Sequence, residues 1–381
     1  MNYSERVSIF QRNLGAAADL AFLPISADLQ YLVGVPRDLP TYGWTMHPGA
    51  WLEGLWITPG RDGVLTLPRM TAEFGGLSDL KGVNLRVLGD HDDPATLVGE
   101  LLAAFDLPDA ARVAVGDRAH AETLVALQAL LPGVRFVSGT QIVRQQRVIK
   151  REDEIAQMRK AGAITEAAFA DTIKALKHGM TELDVISEVN HQLRRHGSLG
   201  ESFTTSLYCS GPDHPLLFGQ RQATAQRQLN PPVALLFDFG AIYDGYCYDY
   251  GRTVCFGQPD AEMQRVYDLV MQSQAAGIAA LQAEVNTTAQ TDAAARDVIE
   301  AAGYGEAFRH RLGHAIGMDV HEPPFLTASD NTLLQAGMLF TIEPSITQFN
   351  SFSARVEDVV VARPSGGEKL TDGFQALIVI D

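Results

Sequence analysis

Three cysteines in 381 residues (Cys209, Cys247 and Cys255) are too few for a disulfide framework, and with no CxxC pair they offer no zinc-thiolate site. They read as core thiols. No run of about 18 apolar residues occurs, and residues 1–13 hold no apolar stretch of leader type, so neither a membrane span nor a secretory signal is expected. The expected location is the cytoplasm. Basic residues are in deficit: 30 Lys and Arg against 46 Asp and Glu give a net charge of -16, which opposes phosphate backbones and anionic membrane surfaces. Neither nucleic acid nor a membrane is an expected partner. Low-complexity segments and repeats with a period of tens of residues are also lacking.

What is there is an ordinary globular composition, 46% hydrophobic and 20% charged, on a chain long enough for two cores. The apolar runs 20–25, 111–115 and 134–137 predict short buried strands, and 96–105 and 120–131 predict helices between them. The first part therefore reads as an α/β domain. Near residue 147 the pattern changes to a long helix carrying an apolar stripe of Ile155, Met158, Ala161 and Ile164. A helix over 182–196 is opened by Thr181 with Asp184 and closed by Gly197, and further helices fit 260–281 and 289–302. Strands are expected at Val233 to Phe237, Tyr246 to Phe256, Met338 to Ile342 and Ala354 to Ala362.

Asp244-Gly245 is a strong type I′ hairpin signal between two strand-like runs. With that turn, Asp249 opposes Gly240, and Asp238 lies diagonal to Asp249 on the same face, about 7–8 Å away between α-carbons. Two carboxylates on one face of an apolar hairpin are costly without a cation or proton between them. A solvent-facing pair is the plainer alternative. Three of the ten histidines (His310, His314 and His321) fall within twelve residues, where an even spread would place fewer than one. Imidazole is both a neutral metal ligand and a proton shuttle near pH 7, though each histidine alone fits an ordinary core or surface role. No HExxH occurs, which argues against a helical mononuclear zinc protease. Glu343 and Glu357 are also carboxylates inside apolar runs. Four such carboxylates with one imidazole make an oxygen-rich ligand set suited to two divalent cations, Mn²⁺, Co²⁺, Fe²⁺ or Zn²⁺ rather than Ca²⁺.

These five residues, in order, resemble the ligand set of the pita-bread metallopeptidases, which include methionine aminopeptidase, aminopeptidase P, prolidase and creatinase. Asp238 stands in FDFG, Asp249 in DYGRT, His314 in GHAIG, Glu343 in TIEP and Glu357 in RVED. DLQYLVG at 28–34 is similar to the creatinase-type N-terminal domain, and RVIKREDEIAQMRKA at 147–161 to the usual entry into the catalytic domain. The resemblance implies an α/β (α+β) chain with a creatinase-like domain over 1–147 and a pita-bread catalytic domain over 148–381. The large N-terminal domain points to the prolidase and aminopeptidase P branch, and the intact ligands point away from creatinase. The nearest resemblance is to bacterial Xaa-Pro dipeptidases.

By that resemblance, Asp249 and Glu357 bridge two divalent metal ions, foremost manganese, with cobalt, zinc or iron as alternatives. Asp238 completes one ion, His314 and Glu343 the other. A shared activated water attacks the carbonyl before proline, with Glu343 as general base. His321 stabilises the tetrahedral intermediate or protonates the leaving nitrogen, and His310 lines the substrate site. Arg355 orients carboxylates, or else makes a surface ion pair. The implied substrates are proline-containing dipeptides or short peptides, and the implied assembly is a homodimer. Aminopeptidase P activity on longer peptides is the alternative; a creatinase- or ectoine-type C–N hydrolase and a non-catalytic binding module rank below it.

One position departs from the family pattern. Where relatives carry a histidine near the proline pocket, this chain has Phe218, with His214 displaced nearby. Either His214 substitutes or the pocket is altered. Trp44, Trp51 and Trp56, beside Tyr42 and His47, form either a local aromatic core or a lid over a partner's site that would favour dipeptides.

Overall fold

The computed structural model describes residues 2–37, 47–75, 77, 80, 82–217 and 219–381. Contacts divide the chain into Met1–Arg147 and Val148–Asp381. The first unit is built on one six-stranded sheet of β1 (Leu20–Pro24), β2 (Gly54–Ile57), β3 (Gly63–Pro68), β4 (Val83–Leu88), β5 (Arg112–Val115) and β6 (Arg135–Ser138), in the order β4-β3-β2-β1-β5-β6. Its β1 strand is buried along its whole length, as its unbroken apolar run requires. Trp51 and Trp56 are 5% and 0% exposed in this unit's core, and Trp56 Nε1 donates to Thr66 Oγ1 at 2.9 Å. These two rings are core and cannot serve as a lid. Tyr42 and Trp44 lie outside the described residues.

The second unit carries two sheets. One contains β7 (Ser206–Ser210), β8 (Val233–Phe239), β11 (Tyr250–Phe256) and β19 (Ile378–Ile380), in the order β19-β11-β8-β7; a short ribbon, β9 (Ile242–Tyr243) with β10 (Tyr246–Cys247), extends its central hairpin. The other contains β12 (Gly313–Ala315), β13 (Glu322–Leu326), β14 (Leu339–Ile342), β17 (Asp358–Arg363) and β18 (Gly366–Lys369), in the order β13-β12-β14-β17-β18. A second ribbon pairs β15 (Ser345–Ile346) with β16 (Ala354–Arg355). The unit's long helices are Glu152–Ala175, Glu182–Arg195, Ala261–Ala280 and Thr288–Ala301.

The local rules act where expected. Thr181 and Asp184 form a reciprocal capping box, Thr181 N donating to Asp184 Oδ2 at 2.8 Å and Asp184 N to Thr181 Oγ1 at 3.2 Å. In the long helix Ile155, Met158 and Ala161 are buried, but Thr165 takes the next inward position rather than Ile164, as the 3.6-residue period allows. Asp244 and Gly245 have φ of 49° and 79°, the two positive values a type I′ turn needs. From that turn the pairing runs without a slip, Tyr243 with Tyr246, then Phe239 with Tyr250 and Asp238 with Gly251. Two expected strands are interrupted. Tyr246 to Phe256 breaks between Cys247 and Tyr250, and Ala354 to Ala362 breaks between Arg355 and Asp358; the interruptions hold Asp249 and Glu357.

Side-chain alternation on β8 sets up the cavity. Phe237 and Phe239 pack to one side, against Phe169 of the long helix at ring separations of 5.4 and 6.3 Å. Asp238, between them, belongs to the opposite face, where it lines the cavity. The three cysteines are buried and unbonded to one another.

Candidate active site

A cavity of about 740 Å³ in the second unit is lined by Asp238, Asp249, His310, His314, His321, Glu343, Arg355 and Glu357, so every site residue expected from sequence faces one space. Asp249 and Glu357 are joined through the backbone. Gly251 N donates to Glu357 O at 3.3 Å and Glu357 N to Gly251 O at 2.9 Å. A Cβ at residue 251 would lie 2.9 Å from Glu357 Cβ, so only glycine permits this approach. Arg252, 1% exposed, closes the join: Nη1 donates to Gly251 O and Glu357 O, both at 2.7 Å, and Nη2 to Asp358 Oδ1 at 2.5 Å. One guanidinium thus holds the two acid-bearing segments together. It is a site-building residue that sequence reading passed over, and its only signal was its place in DYGRT.

His314 sits on β12, where its backbone N donates to Thr341 Oγ1 at 3.1 Å. Its Nδ1 donates to Ala315 O at 3.1 Å, which leaves the lone pair on Nε2. That lone pair faces Asp249 Oδ2 at 3.6 Å and Glu343 Oε1 at 3.5 Å. These are not ordinary ion pairs, because burial and then neighbouring His321 push the His314 pKa down to about 3. The imidazole is neutral, and its Nε2 lone pair rather than an N–H faces the two carboxyl groups.

The carboxylates are held under the same tension. Burial pushes Asp249 well up, reinforced by Asp238 and Glu343, and Glu357 well up, reinforced by Asp249 and Glu343. Glu343 is raised to about 7 by burial, against the opposing charge of Arg355. Asp249 Oδ1 is buried with no hydrogen-bond partner among the described residues. Ligand atoms of Asp249, His314 and Glu357 all lie within 4.8 Å of one another. A cation placed among these groups would relieve repulsion, satisfy the orphaned oxygen and accept the imidazole lone pair. The donor set therefore fits divalent metal.

The remaining residues take distinct positions. Arg355 is only partly exposed and donates from Nη1 to Asp238 Oδ2 at 2.6 Å, with Glu343 Oε2 4.0 Å away; this is a cavity-lining pair rather than a surface one. His310 Nδ1 donates to Arg311 O at 2.7 Å, so Nε2 accepts from Ser345 Oγ at 2.7 Å. Burial, then Arg355, lowers its pKa to about 4, and it is neutral at pH 7. His321 packs against His314, the ring centroids 4.1 Å apart and the planes tilted by 55°. Its neighbour Glu322 is pinned by a buried Lys150 at 2.9 Å, which anchors the turn that carries His321.

His214 lies elsewhere. It is 2% exposed and not among the cavity-lining residues, with Nε2 3.2 Å from Glu182 Oε1. Together with Cys209 these residues form a second compact group of potential ligands, but Arg227 Nε already donates to Glu182 Oε1 at 2.9 Å. The guanidinium occupies the cationic role there, and burial followed by the Glu182 charge holds the Cys209 thiol well up and neutral. His214 therefore does not replace the histidine expected at the pocket; Phe218 lies outside the described residues.

A family model described as metallopeptidase family M24 matches residues 156–364, more than half of the chain and all of the cavity's acids. The chain belongs to metallopeptidase family M24. It has the pita-bread fold of this family and is a metallopeptidase. It is 31% identical, over 100% of both chains, to "Putative dipeptidase YkvY" of Bacillus subtilis. Among solved structures it is similar to a recombinant prolidase from Thermococcus sibiricus, with TM-score 0.88, 25% identity and 100% of both chains covered. It is also similar to the dipeptidase PepE from Mycobacterium ulcerans, with TM-score 0.81, 30% identity and coverage of 99% of this chain and 98% of that one. Among the described residues of this M24 chain, no helix is long and apolar enough to cross a membrane.

Proposed function

We propose that this M24 metallopeptidase is an Xaa-Pro dipeptidase, hydrolysing the bond before proline in dipeptides. The observation that carries the reading is the buried cluster of Asp249, His314, Glu343 and Glu357, with His314 Nε2 3.6 Å from Asp249 Oδ2 and 3.5 Å from Glu343 Oε1. The prolidase and dipeptidase names of its structural neighbours support the substrate class.

In this reading Asp238, Asp249, His314, Glu343 and Glu357 would together hold two divalent ions. The oxygen-rich, single-imidazole set favours Mn²⁺, with Co²⁺, Zn²⁺ and Fe²⁺ able to substitute. When bound, the ions supply Lewis-acid polarisation of the scissile carbonyl and acidify water. The protein's own groups do the rest. Glu343 takes the proton of the attacking water, its Oε1 oriented by Thr341 Oγ1 at 3.2 Å. Arg355 fixes Asp238. His321, on the cavity wall, donates to the developing oxyanion or the leaving nitrogen, while neutral His310 serves as a hydrogen-bonding wall rather than an acid. A homodimer acting in the cytoplasm completes the reading.

The test compares Ala-Pro, Met-Pro and Ala-Pro-Ala, using chelated protein reloaded with Mn²⁺, Co²⁺ or Zn²⁺. Cleavage of both dipeptides with the tripeptide spared is expected. Preferential release of alanine from Ala-Pro-Ala would make the chain an aminopeptidase P instead.

A further inference from the structure

Asp249, Glu343 and Glu357 come from segments joined at one point between the second unit's two sheets. The pairing of β14 with β17 ends at Ile342 and Asp358, and the next residue on each side, Glu343 and Glu357, lines the cavity. Asp249 reaches the same space from the other sheet, beside the backbone bridge between Gly251 and Glu357. Behind this junction lies Asp358, a wholly buried carboxylate that is not among the cavity-lining residues.

Three side chains converge on Asp358. Arg252 Nη2, from β11, donates to Oδ1 at 2.5 Å, and Lys369 Nζ, from β18, lies 2.8 Å from Oδ2. Gln274 Nε2, from helix Ala261–Ala280, donates to Oδ2 at 3.1 Å and to Ile342 O at 3.2 Å. The amide therefore clips together the two strand ends that lead into Glu343 and Glu357, while Arg252 ties them to the Asp249 segment through Gly251 O and Glu357 O. Gln274 is buried in the same helix row as Val266 and Val270, a position where packing alone calls for an apolar residue. Nor does stability account for the group. Desolvation of buried charges offsets most of their attraction, so apolar residues would join these elements at least as well, whereas directed hydrogen bonds fix where each partner lies.

We propose that Asp358 and Gln274 are positioning residues for the metal centre, holding the backbones of Asp249, Glu343 and Glu357 at the spacing that divalent ions require. This rests on the ligand set read above. Groups that orient the ligands of a metal centre typically change its affinity by about 10- to 100-fold when removed.

The experiment titrates the chelated chain with Mn²⁺, following free Mn²⁺ by its electron paramagnetic resonance signal, for wild type, Q274L, D358N and S273A. Leucine keeps most of the bulk of glutamine but cannot donate to Asp358 or to Ile342 O. S273A is the control. Ser273 is the buried neighbour of Gln274, and its Oγ donates to Ala295 O at 2.7 Å, so this variant loses a buried hydrogen bond of the same helix without touching a ligand segment. Q274L is expected to weaken Mn²⁺ binding by about 10-fold and D358N by about 100-fold, with S273A indistinguishable from wild type. The double variant Q274L/D358N should bind scarcely more weakly than D358N, because both changes open the same clasp. Circular dichroism and melting temperature check folding, and if D358N does not fold, the contrast between Q274L and S273A decides. Wild-type affinity in Q274L, or equal weakening in Q274L and S273A, overturns the proposal and leaves the metal site standing. A wild type that binds no Mn²⁺ overturns the ligand reading as well.

Discussion

Replacing Glu343 by glutamine should lower kcat for Ala-Pro by about a thousandfold, the middle of the range for loss of a general base. Glutamine keeps the shape and an oxygen able to accept from Thr341 and to coordinate a cation, but its amide cannot take the proton of water. Glu343 is placed for that task by three neighbours: Thr341 Oγ1 at 3.2 Å, His314 Nε2 at 3.5 Å and Arg355 Nη1 at 4.0 Å. The loss should fall on kcat with KM little changed, since the proton moves only in the reaction. Steady-state kinetics at matched metal content measure it. A variant that retains full metal and more than a tenth of the wild-type kcat would show that another group accepts the proton.

Removing metal should have an equally large effect on turnover and, in addition, a pH-dependent effect on stability. Glu343 has a folded pKa raised from 4.5 to about 7 without metal, and Asp249 and Glu357 are raised well above their ordinary values. A carboxyl whose folded pKa exceeds its unfolded one binds protons more tightly when folded, so its stabilisation is fully present below the unfolded pKa. It is lost as pH rises through the folded pKa, because ionisation then leaves like charges together in a buried site. For Glu343 the loss spans about pH 4.5 to 7, and the other two extend it upward. Bound divalent ions would take the place of those protons. The melting temperature of the chelated protein relative to the reloaded one should therefore fall further behind at pH 8 than at pH 5. Differential scanning calorimetry at both values measures it, and a gap that narrows with rising pH would refute the cluster as the seat of metal binding.

The parts of this architecture that short-range rules govern were readable in the chain. Asp244-Gly245 dictates a type I′ turn, and because strand pairing has a period of two, that turn places Asp238 beside Gly251 six residues away from it. Thr181 with Asp184 marks a helix start for an equally local reason. The strand breaks at Asp249 and Glu357 were hidden because apolar or aromatic residues flank both, Tyr248 and Tyr250 about Asp249 and Val356 and Val359 about Glu357. They arise from a long-range event, the backbone bridge between Gly251 and Glu357 that Arg252 stabilises. His214 shows the same limit in a side chain. Sequence proximity suggested a substitute for a pocket histidine, but Glu182 and Arg227, distant in the chain, draw it into a separate buried cluster. Trp51 and Trp56 gave an ambiguous aromatic signal that burial in the first unit's core resolves.

Asp238, Asp249, His314, Glu343 and Glu357 are expected to hold two divalent ions together. Anomalous diffraction from crystals soaked in Mn²⁺ tests it most directly. Two peaks are expected in the cavity, each within about 2.0–2.3 Å of oxygen or nitrogen atoms from these five side chains. Manganese found only beside Glu182, Cys209 and His214, or absent from the cavity at saturating concentration, would contradict it.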